Sequence, residues 1–252
     1  MIETVQYELN DTIGTLRLCN EPRHNALGEG ELKALVQTLD TVRGDSQLRA
    51  LIVTGSGDKT FCAGAVLDDL NSRKITPEYF QQVMQQIADL PIPTIARVNG
   101  NIFGGGVELA LACDYRIGVR ESRVRVPAAA LGLCYPPEGI TRFVEKLGAN
   151  LPRRLLLGAE TIQATELHRL GFFDDVVPSE RLDERVDELA IHLDGLAPLA
   201  VKAMKELIRN VEAGQTDTER AEELFKQCDE SADLQEGFAA MREKRAPGFL
   251  GR

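Results

Sequence analysis

The place in this chain where residue types and spacing suggest chemistry is a single carboxylate in an apolar run. Glu108 stands among Val107, Leu109, Ala110, Leu111 and Ala112, directly after the triplet Gly104-Gly105-Gly106. Desolvation raises the pKa of a carboxyl in such surroundings, and a buried charge needs a partner or a task. That is how a general acid or base is tuned. The glycines leave a helix N-terminus clear of side chains, so backbone N–H groups can point at a developing negative charge. One stretch thus offers a proton carrier beside an anion site. The competing reading is a structural ion pair, with Arg97 or Arg116 as the partner of Glu108.

Positioning that glutamate takes a strand, a turn and a buried helix. Thr94 to Val98 reads as the strand, Asn99-Gly100 as the turn, and the helix after the triplet is apolar on every side, which predicts burial. Upstream, Val5 to Leu9 and Ile13 to Leu18 alternate around Asn10-Asp11 and predict a hairpin. Glu31 to Val42 has helical spacing, and Arg49 to Thr54 is a continuous apolar run of the kind found in a buried parallel strand. Gly55 to Gly64 reads as a glycine-rich loop, Asp68 and Asp69 as a solvated first helical turn, and Pro77 to Leu90 as a helix. Downstream, Tyr115 to Val119 and Arg123 to Val126 read as strands and Pro127 to Pro137 as a loop of small residues. The rest is helical apart from a strand in Phe172 to Val177, with helices that include Thr216 to Gln227 and Ala232 to Lys244. This is an α/β chain, with residues 1–195 as a β/α core and 196–252 as a helical region packing on it or on another subunit.

Composition removes several function classes. The 252 residues carry 39 acidic against 29 basic side chains, a net charge of −10, which disfavours nucleic acid and anionic membrane surfaces. The N-terminus lacks a signal-peptide plan and no apolar run is long enough to span a membrane, so a cytoplasmic location is expected. Five scattered cysteines without C-x-x-C spacing suggest neither a disulfide framework nor a zinc site. The three histidines are not clustered, so no metal is expected. Two phosphate-binding motifs fail as well. Asp58 separates Gly57 from Lys59, which breaks a P-loop, and Gly104 to Gly106 lacks the G-x-G-x-x-G spacing of a dinucleotide fold.

Taken together, several segments resemble the crotonase (enoyl-CoA hydratase/isomerase) superfamily over nearly the whole chain. They are RHNAL at 23–27, FCAGA at 61–65, VNGNIFGGGVELALACDYRI at 98–117, the P-x-x-x-LG loop at 127–132, the ATEL and GFFDDVV segments within 158–177, and EGFAAMREKRAPGF at 236–249. The resemblance implies a spiral of ββα units with a helical C-terminal trimerisation region, as a trimer or dimer of trimers. It implies an acyl-CoA substrate and no separate cofactor. The backbone N–H groups of Ala65 and Gly105 match an oxyanion-hole pair for the thioester carbonyl. Asn25, Ala26, Leu27 and Ala63 match segments that hold coenzyme A through the backbone, and Arg23 and Lys244 match cations near its phosphates.

Glu108 matches one of two catalytic glutamates of the hydratases. The other directly follows a proline, and here Pro127 is followed by Ala128, Ala129 and Ala130. Hydration needs one carboxylate to activate water and another to deliver a proton. Single-carboxylate chemistry, isomerisation or decarboxylation, is therefore the expectation. Tyr135 falls where methylmalonyl-CoA decarboxylases of the superfamily have a tyrosine, although those carry histidine in place of Ala65. Glu138 is the other candidate second group. The alternatives are a hydratase using Tyr135 or Glu138, and a non-catalytic acyl-CoA-binding scaffold.

Overall fold

The computed structural model describes residues 4–215 and 217–252. Thr216, the expected start of the penultimate helix, lies outside them. The strands are β1 (Val5–Asn10), β2 (Ile13–Leu18), β3 (Ala50–Gly55), β4 (Thr60–Cys62), β5 (Thr94–Val98), β6 (Asn101–Phe103), β7 (Tyr115–Val119), β8 (Arg123–Arg125), β9 (Ile162–Gln163) and β10 (Asp175–Val177). The helices are α1 (Glu29–Gly44), α2 (Leu67–Asn71), α3 (Pro77–Ala88), α4 (Gly105–Ala112), α5 (Pro137–Leu147), α6 (Asn150–Pro152), α7 (Ala164–Arg169), α8 (Leu182–Asp194), α9 (Pro198–Glu212), α10 (Thr218–Asp229) and α11 (Ala232–Glu243).

The strands form two sheets. One has the order β1-β2-β3-β5-β7-β10, antiparallel only between β1 and β2; the other has the order β4-β6-β8-β9, antiparallel only between β8 and β9. The pairs β3-β4, β5-β6 and β7-β8 each give one strand to each sheet before the chain turns into helix, so the path is a spiral of ββα units. The predicted loop over Gly55 to Gly64 therefore contains a strand, and β6 and β9 join it in a sheet that the periodicity reading had not separated. Strands of two or three residues are too short to show a period of two.

Alternation on the central strands fixes what covers the larger sheet. Ile52, Ile95 and Ile117 face α8 through Leu182, Val186 and Ala190. Leu51, Val53, Ala96 and Val98 face the main core, which also holds α1, α3 and α4. Asp69, expected in a solvated turn, instead accepts a hydrogen bond from the Glu29 N–H at 3.1 Å and caps the start of α1. The helical region docks through α9, where Lys205 pairs with Asp114 at 2.6 Å and donates to the Ile92 carbonyl at 2.7 Å. Among the described residues no helix is long and apolar enough to cross a membrane.

Candidate active site

The glycine triplet opening α4 is dictated by what surrounds it. Gly104, the N-cap, has φ 51°, a conformation that L side chains rarely adopt. A Cβ on Gly105 would lie 2.6 Å from the Phe80 ring, and one on Gly106 would collide with the Cys62 carbonyl of β4. The helix start is thereby pressed against α3 and the second sheet. Glu108 lies one turn beyond Gly105 and so shares its face. Both line a cavity of about 610 Å³ together with Ala63, Ala65, Phe80, Gln81, Ala128 and Tyr135.

Ala65 reaches the same cavity by a separate route. Leu27 donates to the Gly64 carbonyl at 2.8 Å and accepts from the Val66 N–H at 3.1 Å. That strand-like bridge turns the N–H of the intervening Ala65 away from Leu27. Gly64, with φ +82°, packs so closely on α4 that a Cβ there would sit 2.5 Å from the Gly105 nitrogen. The N–H groups of Ala65 and Gly105 donate to no acceptor among the described residues. The cavity is thus lined by two residues with unpaired backbone donors.

Glu108 is 3% exposed. Its Oε2 accepts from the Gln81 amide and lies 4.0 Å from Arg142 Nη1. Burial raises its pKa to about 7, against the opposing pull of the Gln81 hydrogen bond and the Arg142 charge. The ion-pair partners expected for a structural glutamate are engaged elsewhere: Arg97 with Asp183, and Arg116 with Asp174 and the carbonyls of Phe172 and Cys113. Gln81 and Arg142 were missed in the sequence because 27 and 34 residues separate them from Glu108 in no fixed spacing. The available signal was a glutamine inside the buried Phe80–Met84–Ile87 stripe of α3.

Of the two candidate second groups, the fold brings in one. The half-buried Tyr135 lines the cavity and packs edge-on against Phe143 with ring centroids 5.8 Å apart. Burial, then the charge of Glu108, pushes its pKa well above the ordinary value, so the hydroxyl is a donor and not a base. Glu138, in the first turn of α5, is exposed and does not line this cavity. Ala128 does line it, and its methyl group offers neither an acid nor a base.

The residues assigned to coenzyme A are dispersed. Asn25 is buried and knits loops together, donating to the carbonyls of Ser56 and Thr60 and accepting from the Asn20 N–H and the Ser56 hydroxyl. Ala26 and Leu27 are buried beside it. Ala63 donates to the His24 carbonyl at 3.0 Å and also lines a second cavity of about 470 Å³ with His24, Lys59, Asn101, Ser122 and Arg123. Arg23 is exposed and borders neither cavity; Lys59, set aside with the failed P-loop, borders the second. Lys244 is the exposed C-cap of α11 and also borders neither. No group of acidic, cysteine or histidine side chains among the described residues is arranged to hold a metal.

Residues 8–252 match the family model described as enoyl-CoA hydratase/isomerase. The chain belongs to this family. It is 32% identical over 259 residues to a crotonyl-CoA hydratase of Syntrophomonas wolfei, covering 99% of both chains. It is 32% identical to a short-chain-enoyl-CoA hydratase of Clostridium acetobutylicum, covering 92% of this chain and 93% of that one. The crystal structure of an enoyl-CoA hydratase from Bacillus anthracis superposes with a TM-score of 0.89 at 30% identity, over 99% of this chain and 100% of that one. As a member of the enoyl-CoA hydratase/isomerase family, the protein is an acyl-CoA enzyme with the crotonase fold.

Proposed function

We propose that this enzyme makes and quenches a thioester enolate with one carboxylate, Glu108, and that double-bond isomerisation is the reaction its site serves best. The observation that carries the reading is that Glu108 is the only carboxylate lining the cavity among the described residues. Glu108 removes the α-proton of a β,γ-enoyl thioester and the C–H electrons form the enolate. The N–H groups of Ala65 and Gly105 hold the oxygen charge, each donor being worth roughly 3 kcal/mol in a dry site. Glu108 then returns the proton to the γ-carbon, leaving the double bond between α and β. Decarboxylation uses the same anion site, but Ala65 offers no imidazole for a substrate carboxylate.

The hydratase names of the relatives, with Tyr135 lying beside Glu108, favour a second reading: hydration with the Tyr135 hydroxyl in place of the missing carboxylate. A mass-spectrometric panel of acyl-CoA thioesters separates the two, scoring double-bond migration, gain of water, loss of carbon dioxide and α-deuterium exchange. Isomerisation of β,γ-enoyl-CoA outpacing hydration of α,β-enoyl-CoA is expected; the reverse order overturns the single-carboxylate reading.

The coenzyme A moiety runs from the thioester past Ala63 toward Lys59 and Arg123, the cations bordering the second cavity. The assembly is a trimer or a pair of trimers. Exposed apolar side chains on α9 to α11, including Ile208, Phe225, Phe238 and Met241, support that. Cys62, Cys113, Cys134 and Cys228 form no disulfide among the described residues, which suits a cytoplasmic setting.

A further inference from the structure

Resting on the assignment of Glu108 as the base, we propose that Gln81 is its positioning residue, locked by Arg142 in the one amide orientation that presents Glu108 as a proton acceptor. The lock follows from donor chemistry. A guanidinium donates and never accepts. Arg142 Nη1 donates to Gln81 Oε1 at 3.0 Å, and Arg142 Nη2 donates to Gln85 Oε1 at 2.8 Å. With its oxygen claimed, the Gln81 amide can turn only its NH₂ toward Glu108, where Nε2 donates to Oε2. A proton on Oε2 would face another donor, so that oxygen stays an acceptor. Oε1, with no hydrogen bond among the described residues, is left to take and return the reacting proton.

The arrangement is buried and built from three helices. Gln81 on α3, Glu108 on α4 and Arg142 on α5 are 5%, 3% and 8% exposed. Their convergence depends on Gly139. A Cβ there would lie 2.9 Å from Gln81 Nε2, 3.0 Å from Glu108 Oε2 and 3.1 Å from Tyr135 Cδ1. Few other ionisable groups face Glu108. The segment before α5 contributes Tyr135, held protonated, and β4 contributes Cys62, whose thiol burial pushes up to about 12. Gln81 and Gln85 on α3 are neutral, and β6 has no titratable side chain. Burial pulls the Arg142 pKa below its ordinary value, and the charges of Glu108, Asp89 and Glu145 oppose that pull. Arg142 thus acts on Glu108 through the amide as well as through its own charge.

The test measures α-deuterium exchange and isomerisation of 3-butenoyl-CoA from pH 5.5 to 9.5 for wild type, Gln81→Met, Arg142→Lys and Glu108→Gln. Methionine keeps the length of the side chain and removes the donor. In Gln81→Met the acid limb of kcat/KM should move to higher pH, so that a roughly tenfold loss at pH 6 shrinks to less than about threefold at pH 9. KM should stay within about twofold, since the amide is not asked to hold substrate. Arg142→Lys keeps the charge but cannot fork between Gln81 and Gln85; it should move the limb the same way and serves if the methionine variant does not fold. An unmoved limb, or a loss uniform across pH, overturns the proposal and leaves Gln81 as helix packing. If Glu108→Gln keeps turnover, the assignment of the base itself falls. An inactive Glu108→Gln with unmoved limbs in the other variants removes only the role of Gln81.

Discussion

The first turns of α4 and α5 each carry a glutamate near the same cavity, and the two have different fates. Glu108 enters on a helix apolar all round, with a side-chain amide against one oxygen and a pKa of about 7. Glu138 enters on the exposed side of its helix's first turn, with no ion-pair partner among the described residues. Residue type and helix position are nearly matched. What separates them is burial: it takes a dry environment to bring a carboxyl pKa to the pH at which proton transfer in both directions is cheap.

The sharpest way to break this contrast is to neutralise each glutamate in turn. Glu108→Gln should lower turnover of any accepted acyl-CoA by about a thousandfold, the scale of a lost acid–base group, measured as kcat/KM. Glu138→Gln belongs at the other end of the scale.

Next in size is a stability effect with a definite sign. Burial raises the Glu108 pKa from 4.5 to about 7 in the folded state. Below about pH 4.5 the carboxyl is neutral in both states and its burial carries no ionisation cost. Between about 4.5 and about 7 the unfolded chain releases the proton while the folded one keeps it, so stability falls as pH rises. Above that window the cost approaches about 3 kcal/mol. The melting temperature of Glu108→Gln relative to wild type should therefore climb across this window and level off above it. A difference independent of pH would show that the carboxyl is not buried in solution. With Glu108 as the proposed base, the same ionisation should make wild-type kcat/KM rise as pH passes about 7.

Tyr135→Phe tests whether the hydroxyl beside Glu108 serves hydration. On the single-carboxylate reading isomerisation should stay within about threefold of wild type, while any hydration should drop by roughly tenfold. Equal losses in both reactions would assign Tyr135 a role common to them. Glu138→Gln should change either rate by less than about twofold, as expected of an exposed charge outside the cavity. A larger loss would mean that the first turn of α5 closes over bound substrate.

Much of this frame was legible in the chain because its cues are local. Alternation around Asn10-Asp11 specified the β1-β2 hairpin, the unbroken apolar run before Gly55 specified a strand buried on both faces, and the apolar surroundings of Glu108 specified a desolvated carboxyl. Segments that match a family also led to Ala65 and Gly105, whose unpaired amides the fold brings to one cavity. Their small side chains alone carry no such signal, since an amide's direction depends on the backbone around it.

What only the tertiary structure decided is whatever depends on segments meeting from different parts of the chain. The second sheet is assembled from strands of two or three residues that gain their hydrogen bonds only from one another. The choice between Tyr135 and Glu138 turned on which way the loop before α5 folds over the cavity. The competing ion-pair reading offered Glu108 Arg97 or Arg116, the arginines nearest in sequence. Packing of three helices around Gly139 put Gln81 and Arg142 there instead. Sequence alone determined that one carboxylate would be dry, because its neighbours in the chain dry it. Which groups would hold that carboxylate was a matter of helices crossing, and close packing at a glycine decided it.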